Sequence, residues 1–178
     1  MPDYTILDDA ALVKRARNDA EAFAVLYRRY LTPLYRYLYR RLGNEKDAED
    51  LTAQVFTEAL EGLAAYRERG RFASWLFTIA RRRLVDLYRQ RIPDELADPP
   101  DGAPGLQVAL EQGETYSHLA RLLQKLNEDQ QELLRLRFSA GLEFAEIAAI
   151  LRRSQGAVKM SLYRTLEWLR SHWETDHE

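Results

Sequence analysis

The chain has 178 residues, 46% hydrophobic and 30% charged, with a formal net charge of -2; this is room for one large domain or two small ones with ample core. It holds no cysteine, which excludes disulfides and thiolate metal sites and makes a reducing cytoplasm the expected compartment. Met1-Pro-Asp-Tyr-Thr lacks the basic-then-apolar order of a signal peptide and no apolar run reaches spanning length, so a soluble intracellular protein without a membrane partner is expected.

The net charge conceals segregation. Residues 1–92 carry 17 Lys and Arg against 13 Asp and Glu. Residues 93–114 carry 6 acids and no base, and residues 115–178 carry 9 of each. A basic block followed by an acidic connector says more about partners than the average does.

Helical periodicity runs through almost every segment outside the connector, and no alternating strand appears. A first helix is expected over residues 9–18 and a longer one over 20–42, with Phe23, Leu26, Tyr27, Tyr30, Leu34 and Leu38 on its apolar side and a kink or break at Pro33. Gly43 suits a left-handed cap, and Asn44 can open the next helix, 45–63, whose early acids complement its N-terminal dipole. Gly70 marks a turn before a basic helix over 72–91. Residues 92–105 then hold four prolines, two glycines and only acidic charges, a composition for an extended linker rather than a core.

A second helical unit begins near Leu110. Asn127-Glu-Asp-Gln130 reads as a capping box opening a helix over 128–139, which Gly141 ends. The chain then gives Leu142-Glu-Phe-Ala-Glu-Ile-Ala-Ala-Ile-Leu151, a polar turn, and Gln155-Gly-Ala-Val-Lys-Met-Ser-Leu-Tyr-Arg164. Phe144, Ile147, Ala148 and Leu151 share one face. Ser154 is placed to cap the helix that follows. Val158, Leu162, Leu166 and Leu169 form an inward stripe, leaving Lys159, Met160, Tyr163 and Arg164 outward. Periodicity alone fits an ordinary helical hairpin as well as a DNA-reading helix-turn-helix.

The second informative stretch is Tyr66-Arg-Glu-Arg-Gly-Arg-Phe-Ala-Ser-Trp75-Leu-Phe-Thr-Ile-Ala-Arg-Arg-Arg83-Leu-Val-Asp-Leu-Tyr-Arg-Gln-Arg91. Arginines provide charge and a planar donor fork for phosphates, and aromatic faces provide platforms for unpaired bases. The bland alternative is a solvated basic helix with its aromatics in the core. Three consecutive arginines cannot all point inward, so a basic outer surface is expected on either reading.

Asp47-Ala-Glu-Asp50-Leu-Thr-Ala-Gln54-Val-Phe56, then Phe72-Ala-Ser-Trp75-Leu-Phe-Thr-Ile-Ala80-Arg, then the acidic connector and the helix-turn-helix resemble, in order and spacing, the sigma factors of bacterial RNA polymerase, and among them the small extracytoplasmic-function subgroup. The resemblance spans about residues 19–170. It implies an all-α protein of two small helical domains joined by a flexible acidic linker. Residues 1–92 would be a region 2-like domain, 93–114 the linker and 115–178 a region 4-like domain containing the helix-turn-helix.

By the same resemblance, Asp47, Glu49, Asp50 and Gln54 would dock on the clamp of the largest polymerase subunit. Tyr66, Arg71, Phe72, Trp75, Arg81, Arg82 and Arg89 would recognise and open the minus-ten element. Arg153, Ser154, Gln155, Gly156, Lys159, Met160, Tyr163 and Arg164 would read the minus-thirty-five element. The implied partners are core RNA polymerase, at its clamp and flap, and promoter DNA, with an anti-sigma factor as a further candidate. No cofactor, metal or catalytic residue is implied. Departures from the family pattern are Arg82 in place of the usual Asn, and Ala157, Met160 and Ser161 in place of Thr, Ser and Arg, which put the base preferences in doubt.

Two other readings share parts of this pattern. A stand-alone helix-turn-helix regulator would share residues 142–164 but would not need the acidic 47–56 segment or the Arg-aromatic helix. A helical enzyme has little to build on: the histidines are His118, His172 and His177, without metal-ligand spacing, and Glu58 with Glu61 or Glu143 with Glu146 read as solvated surface pairs.

Overall fold

The computed structural model describes residues 4–67, 71–91 and 114–175. Among them there is no strand. A 3-10 turn, Tyr4–Ile6, leads into α1 (Asp9–Ala16), α2 (Ala20–Leu42), α3 (Glu45–Gly62) and α4 (Phe72–Arg91). After the gap come α5 (Glu114–Gln124), α6 (Glu128–Leu134) prolonged by a π turn (Arg135–Ser139), α7 (Phe144–Leu151) and α8 (Gln155–Thr175).

Side chains set most of these boundaries. Asp8 accepts from the Ala11 amide at 2.8 Å and Asp19 from the Glu21 amide at 2.9 Å, each satisfying a free first-turn donor. Gly43 closes α2 at φ 71°, and Asn44 opens α3 by accepting from the Asp47 amide at 3.1 Å. Asn127 and Gln130 exchange both bonds of a capping box, at 2.9 and 3.0 Å. The first helix ends at Ala16, two residues short of the expected 18, because Arg17 caps it.

Pro33 does not break α2, which is one helix from Ala20 to Leu42. The missing amide bond is outweighed by packing on the next turn, where Leu34, Tyr37 and Leu38 are fully buried. Each such side chain contributes about 1.5–3 kcal/mol of burial.

α2 is the central element, packed against α1, α3, α4 and the π turn; α4 packs in turn on α3 and α7. Leu12, Leu26, Tyr37, Phe72 and Phe77 from the first four helices are at most 1% exposed. They share one apolar cluster with Leu133, Leu136, Ile147 and Val158 from the last ones. The two helical groups therefore meet across a common core. The acidic connector, apart from its last residue in α5, lies outside the described residues.

Candidate polymerase and DNA interfaces

The first surface is on α3. Leu51, Val55 and Phe56 are buried, while Glu49, Asp50 and Gln54 are exposed and Asp47 is half-buried. Helical spacing thus anchors one side of α3 and turns the polar side out. A cleft of about 160 Å³ lies between Asp47, Asp50 and Gln54 on one wall and Arg83, Asp86 and Gln90 from α4 on the other. Asp86 and Gln90 are additions to the surface; residues 83, 86, 87 and 90 share a helical stripe, so the spacing that could have found them was present.

The second surface surrounds Trp75. Tyr66 stacks on it at 4.4 Å and 26°. Phe72 supports both rings, at 5.8 Å from Trp75 and 6.2 Å from Tyr66. The Tyr66 carbonyl accepts from Arg17 at 2.6 Å, which ties the loop to α1. Gly62 backs the indole: a Cβ there would sit 3.2 Å from Trp75 Cζ2. Tyr66 and Trp75 are half-buried. Phe72 is 1% exposed, so the face expected of it is inside the core and its part is to hold Trp75.

The arginines of α4 diverge. Arg82 pairs with Glu58, which also accepts from Arg83 Nε at 2.6 Å, and Arg71 and Arg89 are exposed. Arg81 turns toward the second helical group, with Nε 3.1 Å from Glu132 and Nη1 donating to the Ile150 carbonyl at 3.3 Å. Glu58, Glu61, Gly62, Tyr66, Trp75 and Arg82 border an open cleft of about 480 Å³. Glu58 is committed to two guanidinium groups, which suits a strut rather than a general acid.

The third surface is the outward face of α8. Arg152 reverses the chain at φ 53°, and Ser154 Oγ accepts from the Ala157 amide at 3.1 Å. Val158, Leu162 and Thr165 are 0%, 3% and 1% exposed, so Thr165 joins the inward stripe; its hydroxyl is satisfied by the Ser161 carbonyl at 2.9 Å. Leu166 and Leu169 are half-buried. Opposite them Met160 and Tyr163 are 53% and 52% exposed. Arg153, Ser154, Gln155, Gly156, Lys159 and Arg164 are exposed as well. Apolar residues on one side and Lys159, Met160, Tyr163 and Arg164 on the other make a helix able to enter a major groove with cationic and polar side chains leading.

Buried ionisable groups cluster between the helical groups. Burial, helped by the charge of Glu132, pushes the Tyr37 hydroxyl well above the usual tyrosine range. Burial lowers Arg135, as does the neighbouring Arg41 charge. Burial also raises Glu146 above its usual 4.5, against the bond it accepts from the Glu143 amide. Elsewhere, His118 packs on Trp173 at 4.9 Å and His172 stacks on Trp168 at 4.0 Å. Among the described residues no group of three His, Asp or Glu could hold a metal ion, and no helix is long and apolar enough to cross a membrane.

The model of Sigma-70 region 2 matches residues 26–92, and that of Sigma-70, region 4 matches residues 118–169. The RNA polymerase sigma factor YlaC of Bacillus subtilis is 32% identical over 78% of this chain and 84% of its own. The ECF RNA polymerase sigma factor BldN of Streptomyces coelicolor is 34% identical over 89% of this chain; the match spans only 63% of that longer protein. Among solved structures, CnrH in complex with the cytosolic domain of CnrY superposes with a TM-score of 0.70 at 25% identity, covering 94% of this chain and 98% of that one. The chain belongs to the extracytoplasmic-function group of sigma-70 factors, which direct RNA polymerase to promoters and initiate transcription.

Proposed function

We propose that the three surfaces divide the work of promoter recognition. The polar side of α3, with Asp47, Glu49, Asp50 and Gln54 and the added Asp86 and Gln90, docks on the clamp of core polymerase. Tyr66, Trp75, Arg71, Arg82 and Arg89 hold opened minus-ten DNA, with Phe72 as the support under the stacked rings and Arg81 joining once it leaves Glu132. The stretch Arg153, Ser154, Gln155, Gly156, Lys159, Met160, Tyr163 and Arg164 reads the minus-thirty-five duplex, and the second helical group meets the polymerase flap. The proposed division is residues 1–92 for polymerase docking and melting, 93–114 as connector and 115–178 for duplex reading. The chain works by binding, without a catalytic centre or cofactor of its own, in the cytoplasm where the polymerase is. The complex of CnrH with the cytosolic domain of CnrY supports a protein partner for this chain too, and an anti-sigma factor is the kind proposed.

The observation that carries this reading is the separation of faces: apart from the buried Phe72, each candidate set is exposed or half-buried, on or beside a helix whose opposite side is buried in the core. A stand-alone regulator would have no use for the α3 surface. Transcription by core polymerase on promoter DNA, with and without the protein, tests it. Start-site-specific transcript is expected only with the protein. Glu49→Lys with Asp50→Lys, both exposed on α3, should abolish it by weakening polymerase binding while the helical content stays, since exposed substitutions cost little stability. Undiminished polymerase binding by that double variant would refute the docking assignment.

A further inference from the structure

The outward face of α8 has an apolar centre. Val158, Leu162 and Thr165 hold the helix in the core, none more than 3% exposed. At about 100° per residue, Gly156, Met160 and Tyr163 fall in one narrow strip on the opposite side, and Lys159 and Arg164 lie about 70° from it to either side. Met160 and Tyr163 are 53% and 52% exposed, and Gly156, Lys159 and Arg164 are exposed with them. Glu167 follows on the same face one turn later and ends the strip with an anion.

We propose that this strip reads the C5 methyl group of a thymine in the major groove of the minus-thirty-five element, with Met160 as the specificity-determining contact and Tyr163 beside it. It rests on the function argued above and names the base that the third surface selects. Charge complementarity commits the strip to duplex DNA. Lys159 and Arg164 flank it and Arg153 is exposed just ahead of the helix, an arrangement that meets phosphates on both walls of a groove. Lys159 Nζ is 6.0 Å from the Phe144 ring, a cation–π contact that leans it toward α7 and off the base edges. The Glu167 carboxylate, repelled by phosphate, confines the approach to the N-terminal half of α8, the part of a recognition helix that meets bases.

Chemistry then picks the base. In the major groove thymine alone presents a methyl group, whereas the other bases present donors and acceptors. Met160 has no strong donor or acceptor to offer them, so seating it on a polar edge removes water from that edge without a replacement bond. Against a methyl the same side chain gains contact, and its unbranched, polarizable chain adapts to the position. Gly156 permits the close approach. A Cβ there would meet nothing within 4 Å, so the fold has room for a side chain, although glycine weakens a helix relative to alanine. A bare backbone at 156 lets the DNA edge settle beside Met160.

The holoenzyme, core polymerase with the full chain, is offered duplexes randomised from the minus-thirty-five to the minus-ten positions, and the retained pool is sequenced. At least one fixed thymine is expected in the upstream element. The retained duplex is then made with deoxyuridine at that position, which pairs as thymine does and lacks only the methyl. Affinity should fall about fourfold, the effect of one buried methyl-sized group. Met160→Ser should bind the thymine duplex as weakly as the parent binds the uracil one, and should no longer tell them apart. Met160→Leu, still apolar, should keep most of the difference; both changes are at an exposed position and leave the fold in place. An upstream element without a fixed thymine, equal affinity for the two duplexes, or a difference that survives Met160→Ser would overturn the proposal. So would a Met160→Ser chain that binds core polymerase more weakly without DNA and keeps the base difference, which would make the strip a protein contact. A holoenzyme that retains duplexes with no upstream preference at all would refute the duplex-reading assignment itself, and the methyl contact with it.

Discussion

Arg164→Ala removes a guanidinium that is exposed on α8 and has no partner among the described residues. Nothing in the fold depends on it, so truncation should leave the melting temperature within the small range usual for surface changes. Its loss is felt only on DNA. A bidentate contact with a guanine edge gives about 1–3 kcal/mol of discrimination, or roughly 5- to 150-fold in recruitment. Arg82→Ala offers the contrast: Arg82 is largely exposed, and Glu58 keeps Arg83 at 2.6 Å after it is gone, so the α3–α4 junction should hold. Both variants are assayed with core polymerase on a duplex promoter and on one with a pre-formed bubble at the minus-ten position. Arg164→Ala should lose recruitment on both by the same factor. Arg82→Ala should fail on the duplex and recover on the bubble. Equal rescue of the two by the bubble would refute the assignment of one to duplex reading and the other to opening.

Without polymerase, the chain should bind duplex promoter DNA weakly at physiological salt, because its net charge is -2 and few phosphates can be neutralised; a tight, sequence-specific gel shift would favour the stand-alone regulator. Asn127→Ala removes one half of a capping box and should cost about 1 kcal/mol, lowering the melting temperature by about 2–4 °C in a chain of this size; an unchanged scan would mean the box is not formed. Burial holds Glu146 above its usual 4.5 in the folded chain, so the folded state disfavours its ionised form, a penalty complete above the folded value and absent below 4.5. Glu146→Gln should therefore melt higher than the parent at pH 7, and the gain should vanish as pH falls below 4.5; a gain independent of pH would point to packing instead.

Local signals in the sequence were strong where a single side chain sets an element boundary. Asn44, Gly43, the Asn127 box and Ser154 each act within four residues, and each is where spacing placed it. The stripe of Val158 and Leu162 is equally local. The absence of a break at Pro33 was not legible, because the packing of Leu34, Tyr37 and Leu38, which carries the helix past it, is tertiary. A base-facing Phe72 and one packed under Trp75 are not told apart by sequence, because an aromatic beside arginines has the same pattern in both. The contact of Tyr37 with Glu132 joins residues 95 apart and leaves no trace in periodicity. Glu132 falls in a polar stretch that reads as surface until α2 and α4 cover it.

The geometry of α4 decides how the proposed surfaces lie relative to one another. Successive residues on a helix turn by about 100°, and positions seven apart return to nearly the same face. Ser74 and Arg81 therefore share one face and meet α7 and α6. Trp75, Arg82 and Arg89 share the next, about 100° round, which is partly or fully open. Arg83, Asp86 and Gln90 border the cleft with α3. One helix thus presents the contact between groups, the proposed DNA surface and the proposed polymerase surface at fixed angles. The contact with the second helical group leaves Trp75 half-open and engages Arg81.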